Sequence, residues 1–387
     1  MPIDRAATCL LAVVALAAAT NVCAADLTVA LAPGAPEIMY RSDVDRCTPI
    51  DTPDIDPRAY RDADGGVDMF ALHYVNRALR GPDLSHLKID CSIALDSHLD
   101  PDPSHHDDRL YMTATWTNDG RRVVGIVHSE YHADDHKRCA VASVLGCWFN
   151  SVLSFSSFDS GHTFKMDNPA VVASAPFTQD VEQGRHRGFF NPSNIFSDGR
   201  YEYFFASTTG WTGQDGGACL FRSANPFSSA SWRAWDGSAF SIGYVDPYRM
   251  KNAHPRPCAP IAPFGLPVGS VTRHDKSGRW LAVWMAPKGG GATPIAGFYA
   301  STSTNLLEWT EPRLLMAGRV IHDMGCGAPV IAYPSLIDEN SKGRNFDHIG
   351  DAPWLYYVAI RMEGCNTGVR TIARQRLHIV ETGGAHK

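Results

Sequence analysis

The sequence has no Cys-x-x-Cys pair among its ten cysteines, which argues against a zinc ribbon or a dithiol redox motif. It has no long amphipathic helical pattern, and after its N-terminal segment no apolar run long enough to cross a bilayer as a helix. It has no cationic excess. Lys and Arg number 35 against 41 Asp and Glu, and a net charge of −6 speaks against a nucleic-acid partner. The helical His-Glu-x-x-His of metalloproteases is missing. The Gly-rich "PKGGGATP" has neither a following Gly-Lys-Ser/Thr nor a flanking strand and helix, so it does not read as a phosphate loop.

What is present begins with "MPIDRAATCLLAVVALAAATNVCAAD". Arg5 supplies a short basic region, Leu10 to Ala19 an apolar core, and Val22 and Ala24 a small-residue cleavage pattern. We expect a signal peptide over residues 1–24 and a secreted or periplasmic mature chain over 25–387, free of the membrane once cleaved. A lipoprotein reading at Cys23 is disfavoured by Thr20. Cys9 and Cys23 fall in the signal, leaving Cys47, Cys91, Cys139, Cys147, Cys219, Cys258, Cys326 and Cys365. An even count in an exported chain suggests disulfides, and eight cysteines allow about 105 pairings. Cys139 and Cys147 are the best local pair.

Glycines number 33 and aromatics make up 10 % of the chain, a mix suited to many strands and turns. Short apolar and aromatic runs recur, separated by Asp-Gly or Gly-rich turns. They form a loose repeat whose units contain "DPRAYRDADGGVDMFALHYVN", "DDRLYMTATWTNDGRRVVGIVHSEYH", "NPSNIFSDGRYEYFFASTTGW", "GSVTRHDKSGRWLAVWMA" and "YPSLIDENSKGRNFDHIGDAPWLYYVAIRM". Asp56-Pro57, Asn191-Pro192 and Tyr333-Pro334 open three units alike. Repeated four-stranded sheets make a β-propeller. The expected fold is all-β, disulfide-containing, a five-bladed propeller in a single domain. A six-bladed count stays open if residues 26–50 and 240–262 add strands, and a sandwich or jelly roll is the lesser alternative.

"SSFDSGHTF" contains Ser157-x-Asp159-x-Gly161-x-Thr163-Phe164. It resembles the Asp-box of sialidases and related propellers, a hairpin motif of the outer edge rather than of catalysis. "STSTNLLEW" and "SANPFSSASW" look like relaxed versions of it. The blade openings resemble the five-bladed glycoside hydrolases of the arabinanase, xylosidase and invertase type. In those enzymes an Asp opening the first blade is general base or nucleophile, and Asp56 matches it. The acid Glu that the resemblance implies at the opening of blade three is missing, since that place reads Phe190-Asn191-Pro192-Ser193. The sialidase arginine triad and Phe-Arg-Ile-Pro cannot be placed either.

In a propeller, residues that begin a blade's first strand and end its second converge near the axis. This selects Asp54, Asp56, His73, Asn76 and Arg77, then Asp107, Asp108, His128, Glu130 and His132, then Asn191, Trp211 and Arg361. Asp246 and Arg249 reach in if the Pro-rich 245–260 connection does. His128, Glu130 and His132 share one strand face, and a carboxyl among histidines and apolar groups is a candidate for a shifted pKa. Hydrolysis of a glycosidic bond needs two carboxyls, and the expected pair is Glu130 as proton donor with Asp56 opposite. Asp54, His73, Asp108, His128, His132, Asn191, Trp211, Asp246 and Arg361 would bind the sugar. The plain alternative for Glu130 is a salt bridge to Lys137 or Arg138. No metal site or cofactor is expected as a requirement. Two ion readings are kept beside that: a divalent ion on His128 and His132, and calcium in the acidic stretch 96–108. The partner is a carbohydrate. A lyase using His128, Tyr131 or His73, and a non-catalytic binding propeller, remain alternatives.

Overall fold

The computed structural model describes residues 26–141, 145–176, 186–250, 256–289, 293–323 and 325–382. The expected signal peptide lies outside the described residues, as do parts of the 245–260 and 287–294 stretches. Apart from four single-turn 3-10 helices, every regular element among the described residues is a strand.

The strands pair as successive antiparallel meanders. The first sheet is Arg58–Arg61, Val67–Phe70, Leu79–Gly81 and Lys88–Ile89. The second is Arg109–Thr117, Val123–His132, Trp148–Ser157 and Lys165–Ser174. The third runs from Phe196–Ser197 through Glu202–Thr208 and Gly217–Ser223 to Arg233–Trp235 and Phe240–Ile242. The fourth is Val268–His274, Trp280–Ala286, Gly297–Ser303 and Arg313–Ala317. The fifth is Val330–Ile337, Trp354–Glu363 and Asn366–Thr382, completed by Asp26–Leu31 and Glu37–Arg41. The segments that left a sixth unit open therefore extend the fifth and third sheets.

Five hydrophobic clusters lie between consecutive sheets: first with second, second with third, third with fourth, fourth with fifth, and fifth with first. The last joins Val67 and Met69 to Trp354 and Tyr356 and closes a ring. This explains the apolar runs. Trp280–Ala286 is buried at every position because its sheet is covered on both faces. Lys165–Ser174, at an outer edge, exposes most of its first half. Within the third sheet Phe204 stacks on Phe221 at 4.9 Å and Trp232 meets it edge-on at 4.7 Å. Each such ring contributes about 1.5–3 kcal/mol of burial.

Arg58 reads out the ring from inside. It is 3 % exposed. Its guanidinium donates to Thr113 O (2.6 Å), Pro192 O (3.3 Å), Gly269 O (2.6 Å) and Ser335 Oγ (3.1 Å). Those groups belong to the opening segments of the second, third, fourth and fifth sheets. One side chain of the first sheet thus touches the inner edge of every other, as the propeller architecture requires.

The 157–164 turn is held by its own side chains. Ser157 Oγ donates to Asp159, and Asp159 accepts from Thr163 N (2.9 Å) and Thr163 Oγ1 (2.6 Å). Gly161 has φ +84°, and a Cβ there would sit 1.8 Å from Tyr60 Oη. Phe164 packs beneath, edge-on to Phe70. Ser303/Asn305 and Ser223/Asn225 build comparable turns after the third strands of the fourth and third sheets.

Four disulfides form: Cys47–Cys91, Cys139–Cys147, Cys219–Cys258 and Cys326–Cys365. The expected local pair is among them and pins the loop after the Glu130 strand. Four disulfides mark a chain that folds outside the reducing cytoplasm. Among the described residues no helix is long and apolar enough to cross a membrane.

Candidate functional site

The strand Val123–His132 runs between Arg109–Thr117 and Trp148–Ser157 without a break in its register to the latter. Glu130 lies opposite Arg109 on one side and Asn150 on the other; His128 lies opposite Tyr111, and His132 opposite Trp148. Alternation puts all of these on one face. The result is a wall of charge and imidazole at the inner end of the second sheet.

Glu130 is 13 % exposed at its side chain, with His132 Nε2 at 3.2 Å and His128 Nε2 at 3.8 Å. Its partners are these histidines, not Lys137 or Arg138. Burial pushes its carboxyl up, but the His132 hydrogen bond and the charges of His128 and His132 outweigh burial, and the group is held below its ordinary value. The elevated pKa wanted of a proton donor is not found here. His128 Nε2 lies 2.8 Å from Asn150 Oδ1, and Asn191 also hydrogen-bonds its ring. Burial lowers the His128 pKa, with Glu130 opposing.

A second group gathers at the opening of the first sheet. Asp54 accepts from Tyr333 Oη (3.1 Å), pairs with Arg370, and has His73 Nε2 at 3.2 Å. Burial lowers the His73 pKa, and Asp54 opposes it. Asp56 lies deeper, 3.6 Å from Arg58, with Oδ1 buried and lacking a hydrogen-bond partner among the described residues. Burial pushes its carboxyl up to about 7, against the pull of Arg58. Tyr111 joins the groups. Its ring is 5.3 Å from His73 and 6.0 Å from His128, and it feels the charges of Glu130 and Asp54. Tyr333 feels both Asp54 and Asp56.

Two openings are strained. Asn191 and Tyr333 hold φ of +46° and +57°, each directly before a proline. For a residue as bulky as tyrosine this is an outlier that costs about 1–3 kcal/mol, a kind of strain that clusters at functional sites. Here it delivers the Tyr333 hydroxyl to Asp54 and the Asn191 amide to His128.

The structure therefore brings together Asp54, Asp56, His73, His128, Glu130, His132 and Asn191. Four expected residues fall elsewhere. Asp108 is buried beside the strand and accepts from His132 N and Arg109, with His136 Nε2 at 3.0 Å, holding the loop that follows. Asp246 pairs with His106 and Arg249. Trp211 is tied to Gln214 in a tight turn, which lays its ring edge-on against Phe189 at 5.7 Å. Arg361 is 64 % exposed and pairs with Glu363. The blade-five arginine at the site is Arg370, whose cross-strand partner is Ile360, one residue before Arg361. In the 96–108 stretch, Asp100 and Asp107 pair with His105 and His98, and Asp102 caps a 3-10 turn.

No known protein-family profile matches the chain, and no curated protein matches it. Solved structures do resemble it in outline. A thermostable family-43 glycoside hydrolase is 14 % identical, over 86 % of this chain and 94 % of that one, with a TM-score of 0.44. An α-L-arabinanase of Cellvibrio cellulosa, solved with arabinohexaose, is 13 % identical over 84 % and 92 %, with a TM-score of 0.45. An endo-arabinase of Bacteroides thetaiotaomicron is 12 % identical over 91 % and 98 %, with a TM-score of 0.46. At such distances no residue role carries over, and the chemistry must be argued from the side chains.

Sequence reasoning missed Tyr111, Trp148, Arg370, Arg58 and the tyrosine of Tyr333-Pro334. Two signals were available. Arg109 and Tyr111 alternate on the strand next to Glu130, and Trp148-x-Asn150 does so on the other side. Arg370 lies on a third strand, which the rule of first-strand starts and second-strand ends passes over.

Proposed function

We propose that this is an exported, secreted or periplasmic, glycoside hydrolase of the five-bladed propeller type. It binds a carbohydrate against Asp54, His73, Tyr111, His128, Glu130 and Tyr333, and cleaves a glycosidic bond with Asp56 and Glu130. The observation that carries the reading is the opposed setting of the two carboxyls. Burial favours the protonated form of Asp56, while histidines favour the ionised form of Glu130. Two carboxyls driven apart in this way are the acid and base that glycosidic cleavage needs. The roles follow from the environments and reverse the assignment expected from the strand pattern. Asp56 gives its proton to the leaving oxygen, and Glu130 activates water or attacks the anomeric carbon. Asp54, fixed by Arg370 and Tyr333, holds sugar hydroxyls, and Trp148 beside His132 offers a ring face for stacking.

The mature protein should release new reducing ends from at least one member of a neutral and acidic polysaccharide panel. Glu130→Gln and Asp56→Asn should each lower that release by about 10²–10⁴-fold. A wild-type rate in either variant removes that residue from the mechanism.

A β-eliminating reading is favoured by one observation. His73 and His128, both held toward the neutral form by burial, flank Tyr111. Neutral imidazoles of this kind are competent bases. An ultraviolet-absorbing unsaturated product in the same panel would select elimination over hydrolysis.

A further inference from the structure

The arginines at the inner ends of the sheets differ in one respect. Arg58 has Asp56, Arg109 has Asp108 and Asp135, and Arg370 has Asp54. Arg187 has no carboxylate within ion-pair reach among the described residues. It is only partly exposed, and its Nε is buried and lacks a hydrogen-bond partner. Its guanidinium sits over the Trp211 ring at 5.9 Å. Burial lowers its pKa.

Its position is built. Gly188 pairs with Asn150 in parallel register, at φ +101°, and a Cβ there would fall 1.9 Å from Asn150 O. The glycine lets the 187–190 strand lie against the second sheet. Asn150 Nδ2 donates to Arg187 O, while Asn150 Oδ1 meets His128. Arg187 is thereby locked to the residue opposite Glu130. It lines a crevice with the hydroxyl-bearing Ser129, Ser151, Ser174 and Tyr248, and with Asp107 and Asp108, whose carboxylates are already paired with His98, Arg109 and His136.

An uncompensated, half-buried guanidinium is costly unless an anion completes it. Its planar fork suits a carboxylate or sulfate. We propose that Arg187 is an anion-recognising subsite, and that the protein's glycan carries acidic groups of the uronate kind, one of which docks on Arg187. This rests on the carbohydrate reading above and narrows it. Neutral glycans would lack the group that Arg187 waits for.

The test separates the two claims by measuring binding without turnover. In a Glu130→Gln background, titrate tri-galacturonate, its methyl ester and inorganic sulfate, following tryptophan fluorescence and calorimetry. The expected result is that tri-galacturonate binds, and that Arg187→Gln weakens it roughly 10- to 100-fold, as for a hydrogen bond to a charged group. Arg187→Lys should recover part of the loss, and the methyl ester should bind weakly to all forms. Arg187→Gln should melt close to its parent, since the only partner of the guanidinium among the described residues is the Trp211 ring at 5.9 Å. Equal binding of acid and ester, indifference of tri-galacturonate to Arg187→Gln, or binding of sulfate alone each overturns the subsite. Arg187-dependent binding by a wild-type protein that cleaves nothing would leave the subsite standing and remove the hydrolase. Cleavage of a neutral glycan at full rate in Arg187→Gln would do the reverse.

Discussion

Arg58 and Arg187 are both arginines set into the inner ends of the sheets, and the chain treats them in opposite ways. Arg58 is fully enclosed. Backbone carbonyls and a hydroxyl from four other sheets accept its hydrogen bonds, and Asp56 lies beside it. Arg187 is given a ring to rest on and a polar crevice, but no carboxylate within ion-pair reach among the described residues. The first arrangement uses a cation to join sheets. The second leaves one unfinished, and incompleteness at that depth is an argument for a ligand. The same contrast separates Asp54, fixed by Arg370, from Glu130, whose partners are the imidazoles of His128 and His132.

The largest effect should come from removing the joint. Arg58→Met would strip hydrogen bonds from four sheets and leave Asp56 without its cation. Breaking a buried pair from one side costs about 3–5 kcal/mol. Urea denaturation should show a loss of that order, or no folded protein at all. A stable, cooperatively unfolding Arg58→Met would mean that the axis does not depend on this residue.

Next comes chemistry with little change in stability. Glu130→Gln should lower turnover by about 10²–10⁴-fold, the range for a positioned acid or base. Its melting temperature should stay near wild type, because Asn150 and His128 keep their contact. A large fall in stability with turnover preserved would return Glu130 to a structural ion pair.

The pH profile sharpens the difference between the carboxyls. Asp56 has a raised pKa, so its protonated form persists to about 7 and is lost above it. If it is the proton donor, activity falls as pH rises through about 7. Glu130 has a lowered pKa, so it stays ionised until the pH drops below the ordinary carboxylate range. Activity on the acid side should therefore hold well into acidic solution. The alkaline limb should vanish in Asp56→Asn, assayed with an activated leaving group that needs no proton. An alkaline limb that survives there belongs to another group, with Arg58, His73 and Tyr333 the neighbours to examine.

The fold was legible because period and punctuation agree. Apolar runs of about seven residues between Asp-Gly turns leave little besides short buried strands, and the matching Asn191-Pro192 and Tyr333-Pro334 openings marked where sheets begin. The wall on the second sheet was legible for the same reason, since alternation along "GIVHSEYH" fixes one face. What period cannot report is which strand of a neighbouring sheet leans inward. Arg370 reaches Asp54 from a third strand. The Trp211 turn closes on Gln214 and turns the ring toward Phe189 instead of the cleft. The environment of Glu130 was also beyond the pattern. Histidines and apolar neighbours along its strand suggested a shifted pKa for a proton donor, and the sign was decided by how close two imidazoles come in space.

The smallest effect is expected where strand-end logic and structure part. Arg361 ends the second strand of the fifth sheet, yet it faces solvent and pairs with Glu363, itself 60 % exposed. Exposed pairs of this kind contribute at most about 1 kcal/mol, and often nothing measurable. Arg361→Ala should therefore leave glycan binding and turnover unchanged and shift stability by no more than about 0.5 kcal/mol. A clear loss of affinity in Arg361→Ala would bring the rim of the fifth sheet into the binding surface. The site would then reach beyond the groups around Asp54 and Glu130.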